Sequence, residues 1–277
     1  MPRNVSGQSY FPCGHQAGII SGVASLHLLG TGSVVSDAHR TTTMLAVDNG
    51  QELLLVDCGG DAVQRMKSSG VDPKRLRRMV VTHEHADHCA GFPLLMERLW
   101  VEGLRGQFHV HGIPEAVAQV RRIFEAFNTE DWPEFPEIVW HEVENRPGAV
   151  VLDGGGWYIT AAQCQHPVPC IGLRVEDRVS GESIYYSADT EPNPGQLEAA
   201  RGVNLIVHEA TGAFHGHASA EQAAELAART DASKLVLVHV PPAGPWREAD
   251  LQAARDIFMN TEIGDEGAAL TFSGQSL

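Results

Sequence analysis

The chain has 277 residues, of which 43% are hydrophobic and 20% charged, and a chain of that length buries roughly three-quarters of its unfolded surface without disulfides or structural metals. This composition excludes collagen-like, coiled-coil and wholly disordered chains, and no apolar run reaches the roughly 18 residues of a membrane span. With 20 Lys plus Arg against 35 Asp plus Glu the formal charge is -15, which disfavours indiscriminate binding to nucleic acid or anionic membranes.

Residues 1–24 carry scattered Pro, Gly, Ser and Gln, read as a loose N-terminal arm, and have no apolar stretch of signal-peptide length. Five cysteines, an odd count without paired spacing, argue against a disulfide framework and suit a reducing compartment, with Cys89 and Cys164 as core thiols. The expected location is the cytoplasm. From Ser25 onward β-rich runs alternate with helical patterns. Strands are expected near Leu26 and over 43–47, 52–56, 78–82 and 108–111, with helices over 61–69 and 114–127. Further strands follow at 157–161, 171–175, 183–187, 204–208, 234–239 and 268–272, with helices over 218–230 and 247–259. Ser180-Gly181 reads as a hairpin turn. Nothing resembles a linker, so residues 25–277 are expected to form a single α/β domain. The densest basic run, Lys74, Arg75, Arg77 and Arg78, reads as a solvated turn before a strand rather than a phosphate site.

Histidine usage is the unusual feature. Eight of the 14 histidines fall in four short clusters: His83, His85 and His88; His166; His208, His215 and His217; and His239. After the apolar run Met79-Val80-Val81 come Thr82-His83-Glu84-His85-Ala86-Asp87-His88. His83 and His85, two apart, point to one side of an extended segment, while Asp87 and His88 open the next helix and turn toward a second ion. Four metal-competent side chains in six positions are not a chance cluster.

These residues resemble the metallo-β-lactamase superfamily, whose binuclear hydrolases carry a His-x-His-x-Asp-His motif matched in full by positions 83–88. The resemblance implies a four-layer αβ/βα sandwich, the metallo-β-lactamase fold, with metals at one edge of two sheets. It also implies three further ligands at strand ends, a place taken here by His166, Asp189 as the bridging carboxylate, and His239. The implied ligand set is His83, His85, Asp87, His88, His166, Asp189 and His239.

Leu28-Leu29-Gly30-Thr31-Gly32-Ser33, Leu54-Leu55-Val56-Asp57-Cys58-Gly59, Val207-His208-Glu209-Ala210-Thr211 and Gly216-His217-Ala218-Ser219 narrow the resemblance to ribonuclease Z and its phosphodiesterase relatives, over roughly Leu26 to Pro242. In that branch a glutamate and a later histidine form a proton relay, a role that falls on Glu209 and His217. Two departures speak against tRNA processing. Only 22 residues separate His166 from Asp189, which leaves no room for a tRNA-gripping arm, and His239 leads into Val240-Pro241-Pro242 instead of a Ser-Arg-Tyr type ending.

The expected protein is therefore a binuclear zinc hydrolase of phosphodiesters, holding two Zn2+ per chain, or Mn2+ or Fe in their place. A metal-bridging hydroxide would be the nucleophile, Asp87 would orient it, and His217, held charged by Glu209, would protonate the leaving oxygen. A small phosphodiester or an RNA-like molecule is the expected substrate, no membrane is involved, and a homodimer is implied by resemblance. The competing readings are a lactonase, thioesterase or sulfatase on the same fold, and, further off, a di-iron redox protein, in which glutamate usually stands at the position of His85.

Overall fold

In the computed structural model, which describes residues 23–35, 38–242 and 245–277, two seven-stranded sheets share one apolar core. The first contains β1 (Ser25–Gly30), β2 (Met44–Asp48), β3 (Leu53–Val56), β4 (Leu76–Val81), β5 (Gln107–Gly112) and β6 (Glu137–Glu142). The second contains β7 (Val150–Gly154), β8 (Trp157–Gln163), β9 (Ile171–Asp177), β10 (Ser183–Tyr186), β11 (Leu205–Glu209), β12 (Lys234–Val238) and β13 (Thr261–Ile263). The last strand, β14 (Ala269–Thr271), returns to the first sheet and pairs antiparallel with β1. Helices α1 (Ala62–Ser68), α2 (Ala86–Cys89), α3 (Phe92–Val101) and α4 (Pro114–Glu125) belong to the first half, and α5 (Pro194–Ala200), α6 (Ala220–Ala227) and α7 (Pro245–Ile257) to the second. Mixed sheets flanked by helices make the expected αβ/βα sandwich. The expected arm over 1–24 lies outside the described residues except for Val23 and Ala24, and Ala24 is already buried, its carbonyl accepting from the Phe272 amide.

Each sheet is antiparallel on one side and parallel on the other: β3 to β6 run parallel, as do β10 to β13. Inner parallel strands such as β3 (Leu-Leu-Leu-Val) and β12 (Lys-Leu-Val-Leu-Val) read as apolar runs because both faces are covered. In β12, Val236 and Val238 enter the core between the sheets while Leu235 and Leu237 pack with the outer helices. Local chemistry sets the helix ends. Asp61 caps α1 by accepting from the Gln64 amide, and Ser219 with Gln222 forms a capping box on α6. Gly181, at φ +75°, makes the expected turn between β9 and β10.

Two of the smaller expectations change. Cys89 is buried as expected, with its thiol pushed up to about 12 by burial and the nearby Asp57, whereas Cys164 is partly exposed and lies in the loop between β8 and β9. The basic run is not simply solvated: Arg75 forms a two-pronged ion pair with Asp48, and Arg78 pairs with Glu52. Among the described residues no helix is long and apolar enough to cross a membrane.

Strand direction decides where chemistry can occur. Open parallel sheets present ligand-binding groups beyond the carboxyl ends of their strands, and β3, β4, β10, β11 and β12 here deliver Asp57, His83, Asp189, Glu209 and His239 to one edge. Bridges between Gly32 and Val240 and between His83 and Cys170 join the two sheets there.

Candidate metal centre and active site

All seven residues expected as ligands converge at this edge. The ligand atoms of His83, His85, His166 and Asp189 lie within 4.8 Å of one another, as do those of Asp87, His88 and His239. In the first group His85 Nδ1 is 3.2 Å from both His83 Nε2 and His166 Nε2. In the second, His239 Nε2 is 3.4 Å from His88 Nε2 and 3.3 Å from Asp87 Oδ2. Asp189 stands between the groups, its Oδ2 3.8 Å from His83 Nε2, 3.5 Å from His88 Nε2 and 3.4 Å from His239 Nε2.

The outer nitrogens of four imidazoles are committed elsewhere, which fixes their tautomers. His88 Nδ1 donates to Asp57 Oδ2 at 2.9 Å, and His166 Nδ1 to the Gly216 carbonyl at 2.8 Å. His239 Nδ1 donates to Thr211 Oγ1 at 2.7 Å, because that hydroxyl gives its own proton to the His239 carbonyl. His83 Nδ1 donates to Thr82 Oγ1 at 3.1 Å, because Thr82 in turn donates to Asp57. Each Nε2 is thereby left with its lone pair facing other lone pairs, an arrangement that a shared cation relieves. Asp189 Oδ1, buried and without a hydrogen-bond partner, supports the same conclusion. Imidazole nitrogens and carboxylate oxygens make a donor set suited to Zn2+, Mn2+ or iron. The residues fit a divalent metal centre.

The electrostatics agree. Burial raises and His239 and His88 lower the pKa of Asp189, and the balance holds it well below the usual carboxylate range. Burial opposes charge on His88, but Asp189 and Asp57 outweigh it and push its pKa well up. His83, fully buried and beside His88, is pushed well down. The carboxylates thus favour positive charge at the middle of the cluster, which a bound cation would supply in place of a proton on His88.

The backbone is bent to serve this geometry. Asp57, Ala188 and His239 have positive φ of 60°, 49° and 50°, a conformation that costs a non-glycine residue on the order of 1–3 kcal/mol. Gly59 lies so close to the Asp87 carbonyl that a Cβ would sit 1.8 Å from that oxygen. Only glycine allows the loop after β3 to clamp the histidine motif, through bonds from Cys58 to the His88 carbonyl and from Gly91 to the Cys58 carbonyl.

The histidine cluster at 208–217 divides. His208 points to the other face of β11 and donates to the Glu209 carbonyl, and exposed His215 pairs with Glu191. His217 turns inward, its Nδ1 3.0 Å from Glu209 Oε1, and its ring stacks at 10° and 5.7 Å on His239. Glu209 is buried and also accepts from the amides of Thr190 and Thr211. Burial works against charge on His217, but the hydrogen bond and charge of Glu209 outweigh it and hold the pKa above the ordinary imidazole value. A His217 ring nitrogen also lies within 4.8 Å of the ligand atoms of Asp189 and His239, closer to the centre than its expected place outside the ligand set implies.

Asp57, Thr82 and Thr211 carry out orienting work that the sequence reading did not assign. Asp57 had a signal, as the one carboxylate ending the apolar run Leu53–Val56 before Cys-Gly-Gly. Thr82 directly precedes His83 and Thr211 follows Glu209 by two residues, and neither had a further signal.

Fold and site together define a metal-dependent hydrolase of the metallo-β-lactamase type. Residues 53–240 match the family described as Beta-lactamase superfamily domain. Ribonuclease Z of Mycobacterium sp. (strain KMS) is 32% identical over 269 residues, covering 86% of this chain and 93% of the relative. Ribonuclease Z of Methanothermobacter thermautotrophicus is 26% identical over 293 residues, with the same coverage. Among solved structures, the metallo-beta-lactamase fold protein YhfI from Bacillus subtilis superposes with a TM-score of 0.75 at 20% identity, covering 90% of this chain and 98% of that one. The chain belongs to the metallo-β-lactamase superfamily, in its ribonuclease Z-like branch.

Proposed function

We propose that this protein is a two-zinc phosphodiesterase that hydrolyses RNA-like or smaller phosphodiesters. The observation that carries the reading is the buried Glu209 and its partner His217, set 3.0 Å apart beside a cluster of seven metal-competent side chains. His83, His85, His166 and Asp189 would hold one ion, and Asp87, His88 and His239 the other, with Asp189 between them. Bound divalent ions supply Lewis acidity, acidifying water and neutralising the charge of a phosphodiester. Asp87 orients the attacking water through its free oxygen. His217, kept protonated by Glu209, gives its proton to the departing oxygen, and its position beside His239 puts that proton at the rim of the centre. The proton is worth most where the leaving group is a poor one.

Residues 25–277 act in this reading as one domain, and the protein works as a cytoplasmic homodimer, in keeping with its branch and with the free thiols of Cys58, Cys89, Cys164 and Cys170. Every residue from 167 to 188 belongs to a short loop, β9, the hairpin turn or β10, so no arm projects between His166 and Asp189. This supports poor processing of tRNA precursors beside competent hydrolysis of simple phosphodiesters. The test is a turnover screen of metal-quantified protein against bis(4-nitrophenyl) phosphate, a tRNA with a 3′ trailer, a lactone, a thioester and a sulfate ester. Preference for the phosphodiester supports the reading. Turnover confined to lactone, thioester or sulfate ester contradicts it, and efficient site-specific trailer removal contradicts the part that concerns the arm.

A further inference from the structure

We infer that Phe214 is a stacking platform for an aromatic base on the leaving side of the substrate, which makes it a specificity residue; the inference rests on the phosphodiesterase reading above. Single exposed apolar side chains are common and need no explanation by themselves. Phe214 is set apart by its place. The residue is 55% exposed, and its ring centroid lies 4.9 Å from that of His217, the proton donor. The rings of His239, His217 and Phe214 form a continuous series from the metal cluster to solvent.

The turn that carries the ring is tied down. The Phe214 amide donates to the Gly212 carbonyl, and the His217 amide donates to the Phe214 carbonyl, both at 2.9 Å. Gly212 has φ +142°, and a Cβ there would come within 3.0 Å of the Phe214 ring. A second glycine, Gly216 at φ +86°, brings the far end of the turn against Pro167 and His166. The aromatic surface is therefore held next to His217 by backbone rather than by apolar burial.

Geometry then selects the ligand. The group that leaves is bonded to the oxygen that His217 protonates, so it must lie beside His217 and within reach of Phe214. In a nucleic-acid phosphodiester that group is a nucleoside, whose base offers a π-face to the ring. Stacking of this kind is tolerant of base identity, and its loss costs about 5- to 150-fold per base.

The test compares a dinucleotide with the same molecule lacking the base on the leaving nucleoside, using metal-loaded wild type, Phe214→Ala and Phe214→Trp. The wild type is expected to prefer the base-bearing substrate in kcat/KM by about 5- to 150-fold. Phe214→Ala should lose that preference, its kcat/KM on the base-bearing substrate falling toward that on the abasic one, and Phe214→Trp should keep it. Equal slowing of both substrates in Phe214→Ala overturns the inference, because the ring then only supports His217. Wild type that cleaves both without preference overturns the inference alone, and wild type inactive on both overturns the phosphodiesterase reading with it.

Discussion

Asp57 Oδ2 lies 2.9 Å from His88 Nδ1, with both residues buried, and the same carboxylate accepts from the Thr82 amide and hydroxyl. One side chain thus orients His88 directly and His83 through Thr82, each a candidate ligand in a different group. It does so from a backbone conformation with φ 60°. Such outer partners typically account for 10- to 100-fold in metal affinity. Asp57→Asn should therefore weaken metal binding by about 10- to 100-fold, measured by competition with a chromogenic chelator. Unchanged affinity would show that the imidazoles hold their orientation without it.

Asp189→Ala should reduce the bound metal from about two ions per chain and abolish hydrolysis. The expectation follows from the contacts of Oδ2 with His83, His88 and His239. Metal analysis after gel filtration checks it, and full occupancy in the variant would remove Asp189 from the bridging role.

His217→Ala should leave the metals bound and cost roughly 10²- to 10⁴-fold on esters with poor leaving groups. A nitrophenyl ester, whose leaving group needs little protonation, should lose far less. Comparable losses on both kinds of ester would remove His217 from the proton-donor role, and loss of metal would place it among the ligands, where its proximity to Asp189 and His239 makes it a contender.

The pH profile follows from the same pair. A catalytic acid must be protonated, so activity on a poor leaving group is full below the His217 pKa and falls as pH rises through it. Glu209 holds that pKa above the ordinary imidazole value against the opposing effect of burial. Removing the carboxylate in Glu209→Gln should move the alkaline limb to lower pH. The profile on a nitrophenyl ester should hardly change, and a limb shifted to higher pH in the variant would reverse the assignment.

The candidate ligands were legible because four metal-competent side chains crowd into six positions after an apolar strand, and because the resemblance to the metallo-β-lactamase superfamily pointed to His166, Asp189 and His239, each near the end of a β-rich run. Residues that orient them were harder to see. Asp57 meets His88 only through the parallel pairing of β3 with β4, and Thr211 meets His239 across 28 residues of sequence. Among the elements, α3 was passed over although Phe92, Leu95, Met96 and Leu99 have helical spacing and are buried. Apolar Leu94 and Val101, exposed on its other side, blur that pattern. β6 is an edge strand whose inner residues are all half-buried, so it shows neither alternation nor a continuous apolar run. α5 and β13 are too short to carry a period.

The most direct measurement is a titration of metal-free protein with Zn2+ while phosphodiester hydrolysis is followed under tight-binding conditions. No turnover is expected without metal, and a rise that saturates at about two ions per chain is expected as it is added. Full turnover by metal-free protein, saturation at one ion, or a fully loaded protein that leaves phosphodiesters intact while opening a lactone or thioester would contradict the proposed function.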